Sequence, residues 1–157
     1  MKRLVLIVIS IILLILDNSL IPFFSRKGIY PNLLFVFSVG YSVINGKEEG
    51  IKIGVISGLL QDIFFFNVFG INALVNMFCC FIAGVVGEGI WKDKKLIPTI
   101  TVFCVTILKF LVVYIIFYFI KIHIELLRGI FVAIYNSVII FLVYKVIIKL
   151  SEIEYKK

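Results

Sequence analysis

Charge is scarce in this chain. Only 16% of its 157 residues are Asp, Glu, Lys or Arg, against roughly 25% in a soluble domain. Histidine and tryptophan occur once each, and proline and cysteine three times each. The shortage of charge excludes a soluble enzyme, a nucleic-acid-binding domain and a disordered chain. A domain this small exposes too much surface to hide the 62% of residues that are apolar. The lone His123 lies at the edge of a loop. No Ser or Cys has a base nearby, no acidic run suits a metal for phosphoryl transfer, and no glycine-rich phosphate loop occurs. These absences predict a protein with no catalytic residues, no metal and no cofactor. Cys79, Cys80 and Cys104 all fall inside apolar runs without zinc-site or disulfide spacing. They read as small apolar fillers.

What is present is hydrophobic length. The mean hydropathy is +1.18. Apolar runs cover residues 4–24, 31–45, 51–66, 71–91, 96–120 and 126–148. They predict an all-α integral membrane protein, a single bundle of six transmembrane helices filling residues 1–157. The second run is short for a bilayer that needs ~20 residues, and a re-entrant reading of it leaves five crossings. The first run follows Met1-Lys2-Arg3, as a signal peptide would. Asp17-Asn18-Ser19 is not a small-x-small cleavage site, however, and apolar residues resume at Leu20, so an uncleaved first helix is expected. Pro31 and Pro98 suit first turns. Asn67-Val68-Phe69-Gly70 reads as a tight turn, and Ser151–Lys157 as a polar tail.

The net charge of +7 belongs to the gaps between runs, where basic residues set orientation. With the N-terminus inside, eleven of the 16 Lys and Arg are cytoplasmic; Arg26, Lys27, Lys121 and Arg128 lie outside, and Lys109 lies within the fifth run. The expected topology crosses a membrane several times, with both termini cytoplasmic.

Two residue sets stand out. Gly50, Gly54 and Gly58 are four apart and form a smooth strip on the third helix. Gly84 with Glu88, and Ala83 with Gly87, mark a similar face on the fourth. Such strips let backbones approach, either inside the bundle or for a partner's helix. The second set is ionisable: Asp17, Asp62, Glu88 and Lys109 lie at membrane depth, where each costs at least ~2.5 kcal/mol at the bilayer centre. At 1.5 Å per residue, Asp17 and Lys109 lie about 20 Å from the inner ends of their helices and Asp62 about 16 Å. That shared level predicts an ion pair of Lys109 with Asp62 or Asp17, which is either structural or a proton or ligand site. Glu88 is expected to pair with Lys92 or its neighbours.

From Pro31 to Leu74 the chain resembles a known family. Pro31-Asn32-Leu33-Leu34 opens the second run, and Gly46, Gly50 and Gly54 follow. Gly58-Leu59-Leu60-Gln61-Asp62 comes next, and Gly70-Ile71-Asn72-Ala73-Leu74 opens the fourth run. In order and spacing these are similar to MreD, the rod shape-determining family of bacteria. Without the family name, Pro31 opens a helix, Gly70 permits a tight turn, and Asn72 suits capping of a helix start. The resemblance implies a non-enzymatic membrane scaffold of the cell-elongation complex, controlling cell shape and lateral peptidoglycan synthesis. Its implied partners are the single-span MreC, the actin-like MreB, and the RodA synthase with its transpeptidase. The layout also resembles the substrate-binding subunits of energy-coupling-factor transporters. That likeness supports an alternative: a vitamin-like small-solute binding subunit, suited by Asp17, Asp62 and Lys109 in the outer half of the membrane.

Overall fold

The computed structural model describes residues 2–19, 29–64, 69–89, 96–119, 121 and 126–155. Arg26, Lys27, Trp91, Lys92 and His123 lie outside them. Among the described residues, six helices follow in order: α1 Lys2–Ser19, α2 Leu33–Asn45, α3 Lys47–Phe64, α4 Ile71–Glu88, α5 Leu96–Phe119 and α6 Leu126–Tyr155. By length and composition, the segments Ile71–Glu88, Leu96–Phe119 and Leu127–Glu152 can each cross a membrane.

The shortest helix, α2, forms the centre. Its 13 residues reach only about 20 Å. Every residue from Leu34 to Ile44 is buried, because α1, α3, α4, α5 and α6 all pack against it. An all-round apolar helix wants this position. Surrounded by protein, it does not itself need bilayer length. Its two serines are neutralised locally: Ser38 Oγ donates to Leu34 O at 2.8 Å and Ser42 Oγ to Ser38 O at 2.6 Å.

Helix α3 packs most closely on α4, and glycine is the reason. A Cβ built on Gly50 would stand 2.7 Å from Cys80 O, and one on Gly54 2.8 Å from Asn76 O. At Gly58 it would collide with Ala73 Cα and Asn72 O. The glycine strip is therefore filled by α4 of the same chain and is not an open groove for a partner's helix. Gly84 and Gly87 do the same for α4, against the backbone of Gly46–Lys47 and of Val43.

The outside is apolar. On α1, Leu4, Val5, Val8, Ile11, Ile12 and Ile15 are exposed, while Leu6, Ile9, Leu13 and Leu14 turn toward the core. On α6, Ile130, Phe131, Ile134, Val138 and Leu142 are exposed. These side chains face hydrocarbon in a membrane protein.

Three boundaries differ from expectation. Helix α2 starts at Leu33, so Pro31 precedes the N-cap and does not occupy the first turn. Helix α3 begins at Lys47, ahead of the apolar run that opens at Ile51. Helix α6 continues to Tyr155 through the supposed polar tail, where buried Ser151 donates from Oγ to Asn45 Oδ1 at 2.7 Å. Pro98 does lie in the first turn of α5. Of the expected turn at 67–70, Asn67 and Val68 lie outside the described residues; Phe69 and Gly70 form a turn with Gly70 at φ +97°.

Candidate functional site

The first four N–H groups of a helix have no partner within it. At α2 all four are answered from elsewhere. Asp17 of α1 accepts Leu33 N at 2.7 Å on one carboxylate oxygen and Leu34 N at 2.9 Å on the other. Asn32, the N-cap, accepts Phe35 N at 2.8 Å through Oδ1. Its own N–H donates to Asn136 Oδ1 of α6 at 3.0 Å. Helix α4 is treated likewise. Asp62, 2% exposed, accepts Gly70 N and Ala73 N on Oδ2 and Asn72 N on Oδ1, at 2.9–3.0 Å. Asn72 adds its Nδ2 to the same Oδ1 at 3.0 Å. At the other end of the bundle, Glu88 Oε1 accepts Lys47 N, the start of α3, at 3.1 Å.

All three acidic residues flagged at membrane depth thus seat on helix starts, where partial positive charge favours a carboxylate. This corrects several expectations. The N-cap of α4 is Gly70, without a side-chain cap; Asn72 helps to hold Asp62 and does not cap. Glu88 pairs with Lys47, Nζ to Oε2 3.3 Å, while Lys92 lies outside the described residues. The expected ion pair of Lys109 with Asp17 or Asp62 is not formed. Among the described residues the ion pairs are Lys47–Glu88 and Lys52–Glu49. The physical reason is competition: backbone N–H groups at a helix start need an acceptor as much as a buried ammonium does, and they are fixed in place.

Lys109 of α5 is satisfied by amides. Its Nζ donates to Asn76 Oδ1 at 2.7 Å and to Gln61 Oε1 at 3.2 Å, and it stands 4.4 Å from the centre of the Phe35 ring. Gln61 extends the network, donating from Nε2 to Asn32 Oδ1 at 2.8 Å and accepting Asn76 Nδ2 on Oε1 at 3.0 Å. Asn136 donates to Thr106 Oγ1 at 3.3 Å. Five helices, α2 to α6, therefore meet in one connected polar centre. Gln61, Asn76, Asn136 and Thr106 were not singled out from the sequence. The available signal was an amide inside an apolar run, as in Leu74-Val75-Asn76-Met77 and Ile134-Tyr135-Asn136, since a polar group at that depth needs a partner.

Beside this centre lies a cavity of about 360 Å³. Tyr30, Asn32, Gln61, Asn72, Lys109, Arg128 and Asn136 contribute its polar wall; Phe35, Ile71, Phe110, Val113, Phe117 and Val132 contribute its apolar wall. Among the described residues, no group of three or more His, Cys, Asp or Glu is placed to hold a metal. The arrangement orders helix starts and offers a cationic, partly apolar hollow.

Residues 1–153 match the family model of the rod shape-determining protein MreD. The curated proteins and the solved structures give no match.

Proposed function

We propose that this chain, which belongs to the rod shape-determining protein MreD family, is a non-enzymatic membrane scaffold of the bacterial cell-elongation complex. The observation that carries this reading is the family match over residues 1–153. In this role the chain sits in the cytoplasmic membrane as a six-crossing bundle with both termini cytoplasmic. It positions lateral peptidoglycan synthesis together with an MreC-like single-span protein, MreB and a RodA-type synthase.

The family-like residues support a structural role. Asn32, Asp62, Gly70 and Asn72 all act at the starts of α2 and α4, and Gly58 lets α3 touch α4. Since α4 fills the glycine strip, a partner's helix docks on an exposed apolar face, by close packing and a few polar contacts. Depletion in the native bacterium is expected to round and swell the cells, and MreC is expected to co-purify in mild detergent. Normal rods after depletion, with no MreC recovered, overturn the scaffold. The cavity beside Lys109 favours a second reading, a small-solute binding subunit resembling those of energy-coupling-factor transporters. Recovery of an ATPase module with the chain would select it.

A further inference from the structure

Two cations, Lys109 and Arg128, line the cavity, and no carboxylate is among its described lining residues. Asp17 and Asp62 use both of their oxygens on backbone amides of α2 and α4. Lys109 is 8% exposed, and its hydrogen-bond partners among the described residues are the neutral amides of Gln61 and Asn76. An ammonium has three donors; two go to those amides, and the face of the Phe35 ring, its centre 4.4 Å from Nζ, is a weaker partner that an anion can displace. A buried cation held by neutral groups keeps its charge to offer, and an anion brought beside it is attracted strongly in a low-dielectric site. Arg128 stands exposed near the start of α6 and already holds a partner; its planar guanidinium carries five donors, so it can take phosphate oxygens as well.

The rest of the hollow is shaped for something other than a bare anion. A water occupies about 30 Å³ of liquid, so about 360 Å³ far exceeds an inorganic phosphate. Phe110, Val113 and Phe117 of α5 and Val132 of α6 make an apolar wall. The outer faces of these two helices are also apolar: Leu111, Tyr114 and Ile115 on α5, and Phe131 and Ile134 on α6, are exposed. Polar and apolar walls in one cavity match a molecule with a charged head and a hydrocarbon tail.

We propose that this cavity binds one anionic membrane lipid, its phosphate held by Lys109 and Arg128 and its chains leaving along the apolar wall of α5 and α6. The site is separate from the scaffold reading and does not depend on it.

The test uses the full chain in mild detergent and native mass spectrometry, titrated with dioleoyl phosphatidylglycerol, dioleoyl phosphatidylcholine, or sodium phosphate alone. One phosphatidylglycerol is expected to bind per chain, about tenfold more tightly than phosphatidylcholine, whose phosphate is the same but whose quaternary ammonium is repelled by Lys109 and Arg128. Arg128→Gln, at an exposed position, is expected to erase that preference while the helical circular dichroism of the lipid-free chain stays as in the parent. Lys109→Met is expected to erase it as well. If Lys109→Met fails to fold, Arg128→Gln decides. A double variant Lys145→Gln/Lys149→Gln, exposed and far along α6, controls for general attraction to basic residues and is expected to bind as the parent does. Equal affinity for the two lipids, no effect of Arg128→Gln, or an equal loss in the control overturns the proposal. Displacement of the lipid by sodium phosphate at matching concentration assigns the cavity to a soluble phosphate and overturns it too.

Discussion

Replacing Asp62 tests whether the buried carboxylate holds a helix start or answers Lys109. Asp62→Ala removes the acceptor of three backbone N–H groups, on Gly70, Asn72 and Ala73, and of the Asn72 side chain. Each hydrogen bond to a charged group is worth about 1.5–3 kcal/mol. The four share one carboxylate and one turn, so their loss is not additive. The expected cost is about 3–5 kcal/mol, the range for stranding the partners of a buried charge. Asp62→Asn keeps one oxygen and turns an NH₂ toward donors, so about half of that cost is expected, or roughly 2 kcal/mol. The measurement is unfolding of the purified chain in detergent, followed by the loss of helical circular dichroism. The order of stability should be parent, Asp62→Asn, Asp62→Ala. Adding Lys109→Met should not rescue Asp62→Ala, because the two residues share no hydrogen-bond partner among the described residues and their effects should add. Rescue by Lys109→Met, or a cost below about 0.5 kcal/mol, within the range of ordinary surface changes, refutes the capping argument.

The same geometry ranks other substitutions. Asp17→Ala should free Leu33 N and Leu34 N and cost about 2–4 kcal/mol by the same unsatisfied-donor argument, seen as faster hydrogen exchange at the start of α2. Gly58→Ala should destabilise by at least about 1–3 kcal/mol through overpacking, because its Cβ meets α4 backbone. Gly70→Ala, with nothing within 4 Å but φ +97°, should cost only about 1 kcal/mol of backbone strain; melting curves should rank the two. Ser10 is buried and its Oγ has no hydrogen-bond partner among the described residues, so Ser10→Ala should leave thermal stability unchanged or raise it by about 1 kcal/mol.

Hydrophobic length and the scarcity of charge determined that this is a helical membrane protein, because no other environment accepts such side chains. The positions of the helices were also legible, as were the residues that need explaining: glycines four apart, and Asp17, Asp62, Glu88 and Lys109 at depth. The tertiary structure alone decided what each one meets. A glycine strip announces a smooth face, but only the packing reveals that α4 covers it. A buried carboxylate announces that a donor is needed, yet every helix start offers donors, and no sequence pattern says which start a given carboxylate will reach. Asp17 therefore answers Leu33 and Leu34, and Asp62 answers Gly70, Asn72 and Ala73. The ammonium of Lys109 falls to the amides of Gln61 and Asn76, residues from two other helices. Their closeness depends on how α3, α4 and α5 pack around the short α2, because side chains distant in sequence become partners only when packing fixes the distance between them.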